Sequence, residues 1–141
     1  MVNRNFNGTQ INQSVTIVEK AGAAITDCRN RIMVYDDNGD VVLAADGTKP
    51  IVGITLIESG LNDISGMDSG SVAVGDDIDI QIKDIGYILA GEEIVKGAEV
   101  TAGDGGLATT AGEGDYVVGI ALTAVQKDEY CRVQISKYQK N

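Results

Sequence analysis

Apolar and polar residues alternate along this chain far more often than apolar residues recur at helical spacing. In "DDIDIQIK" (76–83), Ile78, Ile80 and Ile82 fall on one face and Asp77, Asp79, Gln81 and Lys83 on the other. That is the period of a half-buried strand. "EYCRVQISK" (129–137) repeats the pattern, with Cys131, Val133 and Ile135 inward and Arg132, Gln134 and Ser136 outward. Strand signals begin at "SVTIV" (14–18), and the runs are separated by "DDNGD" (36–40), "ADGTKP" (45–50), "GDGG" (103–106) and "GEGD" (112–115). Asn-Gly and Asp-Gly supply the positive φ angles of tight hairpins. Turns about ten residues apart predict a mainly all-β fold, a small barrel or sandwich with little helix. The best helical candidate, "GEEIVKGAEV" (91–100), leaves room for a turn or two between its glycines.

One phrase is written twice. "KPIVGITL" (49–56) and "DYVVGIAL" (115–122) each follow a Gly/Asp-rich turn. Setting Gly53 on Gly119 lays residues 38–56 over 104–122 without a gap, and upstream "AGAAI" (21–25) matches "AGEEI" (90–94). The chain therefore reads as two similar halves, with 21–56 repeated as 90–122. Val52, Ile54 and Leu56 are expected to share one face, as are Val118, Ile120 and Leu122. Glycine inside a strand marks a bulge, a bend or a close backbone approach. Two such units can bury their inner faces against each other. The reading is one β-rich domain over 14–141, preceded by a polar, extended arm at 1–13, "MVNRNFNGTQINQ". The stretch "ESGLNDISGMDSGS" (58–71) has no apolar rhythm and reads as an exposed loop, with Leu61, Ile64 and Met67 folding back onto the surface.

Composition sharpens this picture. The 141 residues include 18 Gly, 1 Pro, 1 Phe and no Trp, so the core is expected to be aliphatic. The net charge of −10 would repel a phosphate backbone and argues against nucleic-acid binding. The charge is uneven: the first 34 residues hold Arg4, Lys20, Arg29 and Arg31 against Glu19 and Asp27. No apolar run suggests a membrane span or a secretory leader. Cys28 and Cys131 are too few for a disulfide scaffold and read as buried, reduced thiols, which fits synthesis in a reducing cytoplasm.

Catalytic signatures are missing. Without histidine the commonest general base and metal ligand is absent, and "MDSGS" (67–71) cannot complete a triad. "GDGGLA" (103–108) fits a loose dinucleotide spelling but lacks a following helix, so it reads as a hairpin turn. "DDNGDVV" (36–42) spaces Asp36, Asn38 and Asp40 like a calcium loop, yet has Val41 and Gly47 where Gly and Glu are needed. The expectation is a non-enzyme without metal or organic cofactor.

The second half carries "GDDIDIQIKDIGYILAGEEIVKGAEVTAGDGGLATTA…YVVGIALTAVQKDEYCRVQIS" (75–136). This resembles the small capsid cement, or decoration, proteins of tailed bacteriophages. The matching positions are Ala90, Gly91, Ile94, Gly97, Val100, Asp104, Gly105, Val118, Gly119, Ala121, Leu122, Val133 and Ile135. The segment from Ala21 to Leu56 echoes the family's front portion more loosely. The resemblance implies a protein made in the bacterial host cytoplasm that binds the outside of a phage head. There it would hold neighbouring subunits of the major capsid protein together, commonly as a homotrimer. The front segment is the expected contact, with Phe6 and Ile11 as apolar anchors, Arg4 as a charged contact, and Arg29 and Arg31 extending the patch. A second reading is a carbohydrate-binding or adhesion β-domain on a virion fibre or cell surface. Sugar sites favour exposed aromatic rings, and this chain has only Phe6, Tyr35, Tyr87, Tyr116, Tyr130 and Tyr138 to offer.

Overall fold

The computed structural model describes residues 15–61 and 69–141. Ten strands fill them: β1 (Thr16–Lys20), β2 (Ile32–Tyr35), β3 (Val41–Leu43), β4 (Ile51–Thr55), β5 (Asp77–Gln81), β6 (Ile85–Leu89), β7 (Glu99–Ala102), β8 (Ala108–Thr110), β9 (Tyr116–Ala121) and β10 (Tyr130–Gln139). The one helical element among the described residues is a 3-10 turn at Asp104–Gly106. It lies in the "GDGG" hairpin, where Gly105 and Gly106 both have positive φ. No helix of the described residues is long and apolar enough to cross a membrane.

The strands form two antiparallel five-stranded sheets, ordered β1-β5-β4-β2-β3 and β6-β10-β9-β7-β8. Substituting each strand by the one five places later converts the first order into the second. The isolated bridges correspond too. Ala21 pairs in parallel with Val41 and Ala90 with Ala108, while Ile25 pairs with Val72 and Ile94 with Val125. The parallel bridges join the first strand of each sheet to its last, so each sheet curls over its own concave side without closing into a barrel. The architecture is thus a sandwich of two similar halves.

The correspondence reaches strands that the repeated phrases do not include. A methyl placed on Gly53 would sit 2.2 Å from the carbonyl oxygen of Gln81, and one on Gly119 1.9 Å from that of Gln134. Each glycine lets β4 or β9 approach the neighbouring strand, and "IQI" (80–82) is the counterpart of "VQI" (133–135). The gapless overlay of 38–56 on 104–122 is one residue out in its first part. The Tyr35–Val41 pair corresponds to Ala102–Ala108, so Val41 matches Ala108 and not Leu107. The extra residue of the first half falls between Val41 and Gly53.

The apolar side chains sort into two clusters. Ala21, Ile25, Cys28, Met33, Val41, Val52, Val72, Ile78 and Ile80 fill the concave side of the first half. Ile88, Ala90, Ile94, Val100, Ala108, Val118, Val125, Cys131 and Val133 belong to the second half, in a cluster continuous with Ile32, Val34, Ala44, Ile51 and Ile54 from the first sheet's other face. The first sheet is therefore covered on both sides, and all five residues of β4 are buried. This corrects the expectation that the halves pack through equivalent inner faces. Each half has its own interior, and they join asymmetrically. Ile32 pairs with Ile54 in the first sheet; the equivalent pair in the second is Glu99 with Ile120, and neither belongs to the shared core.

Two bulges disturb the period of two. Met33 pairs with Gly53 but Val34 with Ile51, leaving Val52 as an extra residue on β4. Val52 therefore packs in the first-half core and Ile54 in the shared one, and the two do not share a face as expected. On β10, Ser136 and Lys137 together oppose Val118, because Val117 pairs with Tyr138 and Gly119 with Ile135. The two irregularities meet: the Lys137 ammonium donates to the Val52 carbonyl at 2.8 Å. Burial holds the Lys137 pKa below its ordinary value.

A candidate binding cleft where the halves meet

A cleft of about 460 Å³ opens between the halves, lined by Asn30, Thr55, Leu56, Ile57, Glu58 and Gln81 from the first and Tyr87 and Tyr130 from the second. Its volume lies within the range of small-ligand sites. Tyr87 on β6 and Tyr130 on β10 project from adjacent strands, because Tyr130 pairs with Leu89 and Arg132 with Tyr87. Both alternate with fully buried neighbours, Ile88 and Cys131, so the strand period turns their rings outward. They are 50% and 54% exposed, and Ile57 opposite is 56% exposed.

The exposed lining is mostly apolar, and the buried polar residues beneath it are held by the backbone. Asn30 adopts φ 54°, a left-handed conformation that asparagine tolerates better than most residues. Its Nδ2 donates to the Tyr87 carbonyl at 3.1 Å, and its own carbonyl accepts from the Leu89 amide at 3.1 Å. Thr55 accepts the Arg31 amide on Oγ1 at 2.8 Å and donates its hydroxyl to the Cys28 carbonyl. Gln81 was expected to face outward but is buried. Its Nε2 donates to the carbonyls of Lys83 and Ile85, both at 2.7 Å, which ties off the turn between the halves. Asn30 is only 6% exposed, yet its Oδ1 has no hydrogen-bond partner among the described residues. A buried acceptor without a donor costs stability and calls for an explanation.

Of the residues expected to meet a partner, Arg4, Phe6 and Ile11 lie outside the described residues, as does the 1–13 arm. Arg29 and Arg31 flank Asn30 in sequence. Arg29 grips Asp27 with both arms of its guanidinium, Nε to Oδ1 and Nη2 to Oδ2 at 2.9 Å each. This pair holds the Asp27 carboxyl below its usual range and raises Arg29, with a smaller contribution to Arg29 from nearby Tyr130. Arg31 spans the halves through Nη1 to the Gly105 carbonyl at 3.2 Å, and its buried Nε has no partner among the described residues. Of the loop at 58–71, its base is described: the Leu61 amide donates to the Ser71 carbonyl and the Gly70 amide to the Leu61 carbonyl. Leu61 itself is exposed, and Ile64 and Met67 lie outside the described residues.

The remaining motifs behave as turns. Asp36 Oδ1 accepts the amides of Asn38 and Asp40, which uses the carboxylate to shape the hairpin. Among the described residues no three His, Cys, Asp or Glu side chains are grouped to hold a metal. Cys28 and Cys131 are buried free thiols, as expected from their small number. Sequence reasoning missed Asn30, Gln81 and the Tyr87–Tyr130 pairing. The outward alternation of both tyrosines was visible, but the register that brings them together was not.

No protein-family model matches the chain, and no match is found among curated protein sequences. Among solved structures, the fold is similar to the N base of the head fiber protein gp8.5 of bacteriophage phi29, with a TM-score of 0.58 and 18% identity. The match covers 92% of this chain and 99% of that one.

Proposed function

We infer that this protein is a structural component of a tailed-phage virion that decorates the exterior of the head by binding the major capsid protein. The observation that carries this reading is the fold: two curled five-stranded sheets that match, over almost the whole of both chains, the base of a phage head fiber. The resemblance of residues 75–136 to capsid cement proteins points to the same setting. The chain's acidity and its lack of histidine suit a non-enzymatic role. Within this reading residues 1–13 lie along the capsid protein, with Phe6 and Ile11 as apolar anchors and Arg4 as a charged contact. An extended segment can cover a large surface or add a strand to an exposed edge. Arg29 and Arg31 extend that surface as already engaged cations. Three copies around a local three-fold axis would combine weak contacts into firm attachment and stabilise the head.

Co-sedimentation with expanded heads tests the assignment. The full chain should pellet with heads at stoichiometric occupancy. Deletion of residues 2–12 should leave the fold intact, since the described strands begin at Thr16, and reduce occupancy severely. Full decoration by the truncated chain would remove the arm from the interface; no sedimentation of the full chain would overturn the capsid assignment itself. Particle images showing solitary copies would exclude the trimer.

A further inference from the structure

We propose that the cleft between Tyr87, Tyr130 and Ile57 is a binding site for a neutral saccharide. Three observations converge there. Two half-exposed tyrosine rings on adjacent strands flank the cleft and offer flat apolar faces, which the C–H faces of a pyranose ring cover. Asn30 lines the cleft, and its Oδ1 is a buried acceptor without a donor among the described residues, which a sugar hydroxyl reaching it would supply. The Glu58 and Gln81 side chains add polar groups around the same space, and the volume of about 460 Å³ accommodates one or two sugar rings.

Other ligand classes fit less well. A purely apolar ligand would leave Asn30 unpaired. An anionic ligand would meet Glu58 and a chain of net charge −10, and Arg29, next to Asn30 in sequence, is committed to Asp27. The site is also preformed. Asn30 is fixed by its bonds to Tyr87 and Leu89, and Gln81 by the turn it closes, so little side-chain order is lost on binding. The residues of this site are not those of the proposed capsid-binding arm, and the two assignments are tested separately.

The test uses the whole chain and a panel of neutral sugars: glucose, galactose, N-acetylglucosamine, N-acetylgalactosamine and their short oligomers. Amide chemical shifts locate binding, and tyrosine emission, unmasked because there is no tryptophan, reads it in titration. At least one sugar should shift the amides of residues 30, 55–58, 87 and 130 saturably. Tyr130→Ala and Tyr87→Ala should weaken binding by about tenfold, and Tyr35→Ala, an exposed tyrosine away from the cleft, should not. Tyr130→Leu and Tyr87→Leu keep apolar bulk without the ring and stand in if the alanine variants unfold. The proposal is overturned if no sugar shifts those amides, or if binding survives loss of both rings. It is also overturned if soluble major capsid protein, and none of the sugars, shields Tyr87 and Tyr130 from nitration. Head co-sedimentation is measured separately, so failure here leaves the capsid assignment standing.

Discussion

A methyl group on Gly119 would lie 1.9 Å from a backbone oxygen and one on Gly53 2.2 Å from another, distances at which a strand must move. Gly53→Ala and Gly119→Ala should each destabilise the fold by about 3 kcal/mol, read as a lower urea midpoint. Gly112→Ala, whose added carbon meets nothing closer than 3.5 Å, should change little. The chain's end supplies a second residue-scale expectation. The Tyr138 hydroxyl donates to Glu99, whose other oxygen receives Lys140 at 3.1 Å. The bond to Glu99 pushes the Tyr138 phenol up to about 12. A phenol raised in the folded state contributes its stabilisation fully below the unfolded value near 10. That contribution is lost as pH rises through about 12. In a spectrophotometric titration Tyr138→Phe should remove the tyrosine that ionises near 12. Tyr35, raised by its bond to Glu19, should remain in the retarded group.

Individual strands show how equivalent positions acquire different weight. Ile54 on β4 is buried in the core shared by both halves, while Ile120, at the same place on β9, is partly exposed. Ile54→Ala should cost about 3–4 kcal/mol and Ile120→Ala about 1 kcal/mol, measured side by side by chemical denaturation. Much of this level was legible in the sequence. The alternation in 76–83 and 129–137, the Asx-Gly hairpins and the repeated AGxxI and VGI phrases all locate real elements, because strand period and turn chemistry are local. What escaped was set by pairing between distant segments. The bulge at Val52 breaks the alternation at the repeated phrase, and nothing local to "IVGIT" announces it. The match of β5 with β10 was hidden because the connections before them differ in length. The inward turn of Gln81 depends on carbonyls at Lys83 and Ile85 that only the bend between the halves presents. The cleft was illegible for the same reason, since its walls come from both halves.

The molecule as a whole should unfold as one unit, although each half has its own interior. Ile32, Val34, Ile51 and Ile54 belong to a core continuous with the second half, and Lys137 and Arg31 reach across between them. The two thiols make this measurable. Cys28 packs in the first-half core and Cys131 in the second, both inaccessible, and burial raises both pKa values. Neither should react with a disulfide reagent in native buffer. In a denaturant series both should become reactive in a single transition with one midpoint. Two separated midpoints would mean that the halves open independently.

The asymmetric join leaves an imprint that a collection of relatives could display. A doubled chain starts with two interchangeable copies, and any face that one copy must hide is released from that duty in the other. Here the first copy hides Ile32 and Ile54, whereas the second carries Glu99 and Ile120 at the same places, outside the shared core. Substitution should therefore run at two speeds along one lineage: slow and confined to aliphatic residues at 32 and 54, fast and chemically varied at 99 and 120. The second copy becomes the part of the molecule free to acquire a new partner, and it is the copy that contributes both tyrosine rings to the cleft.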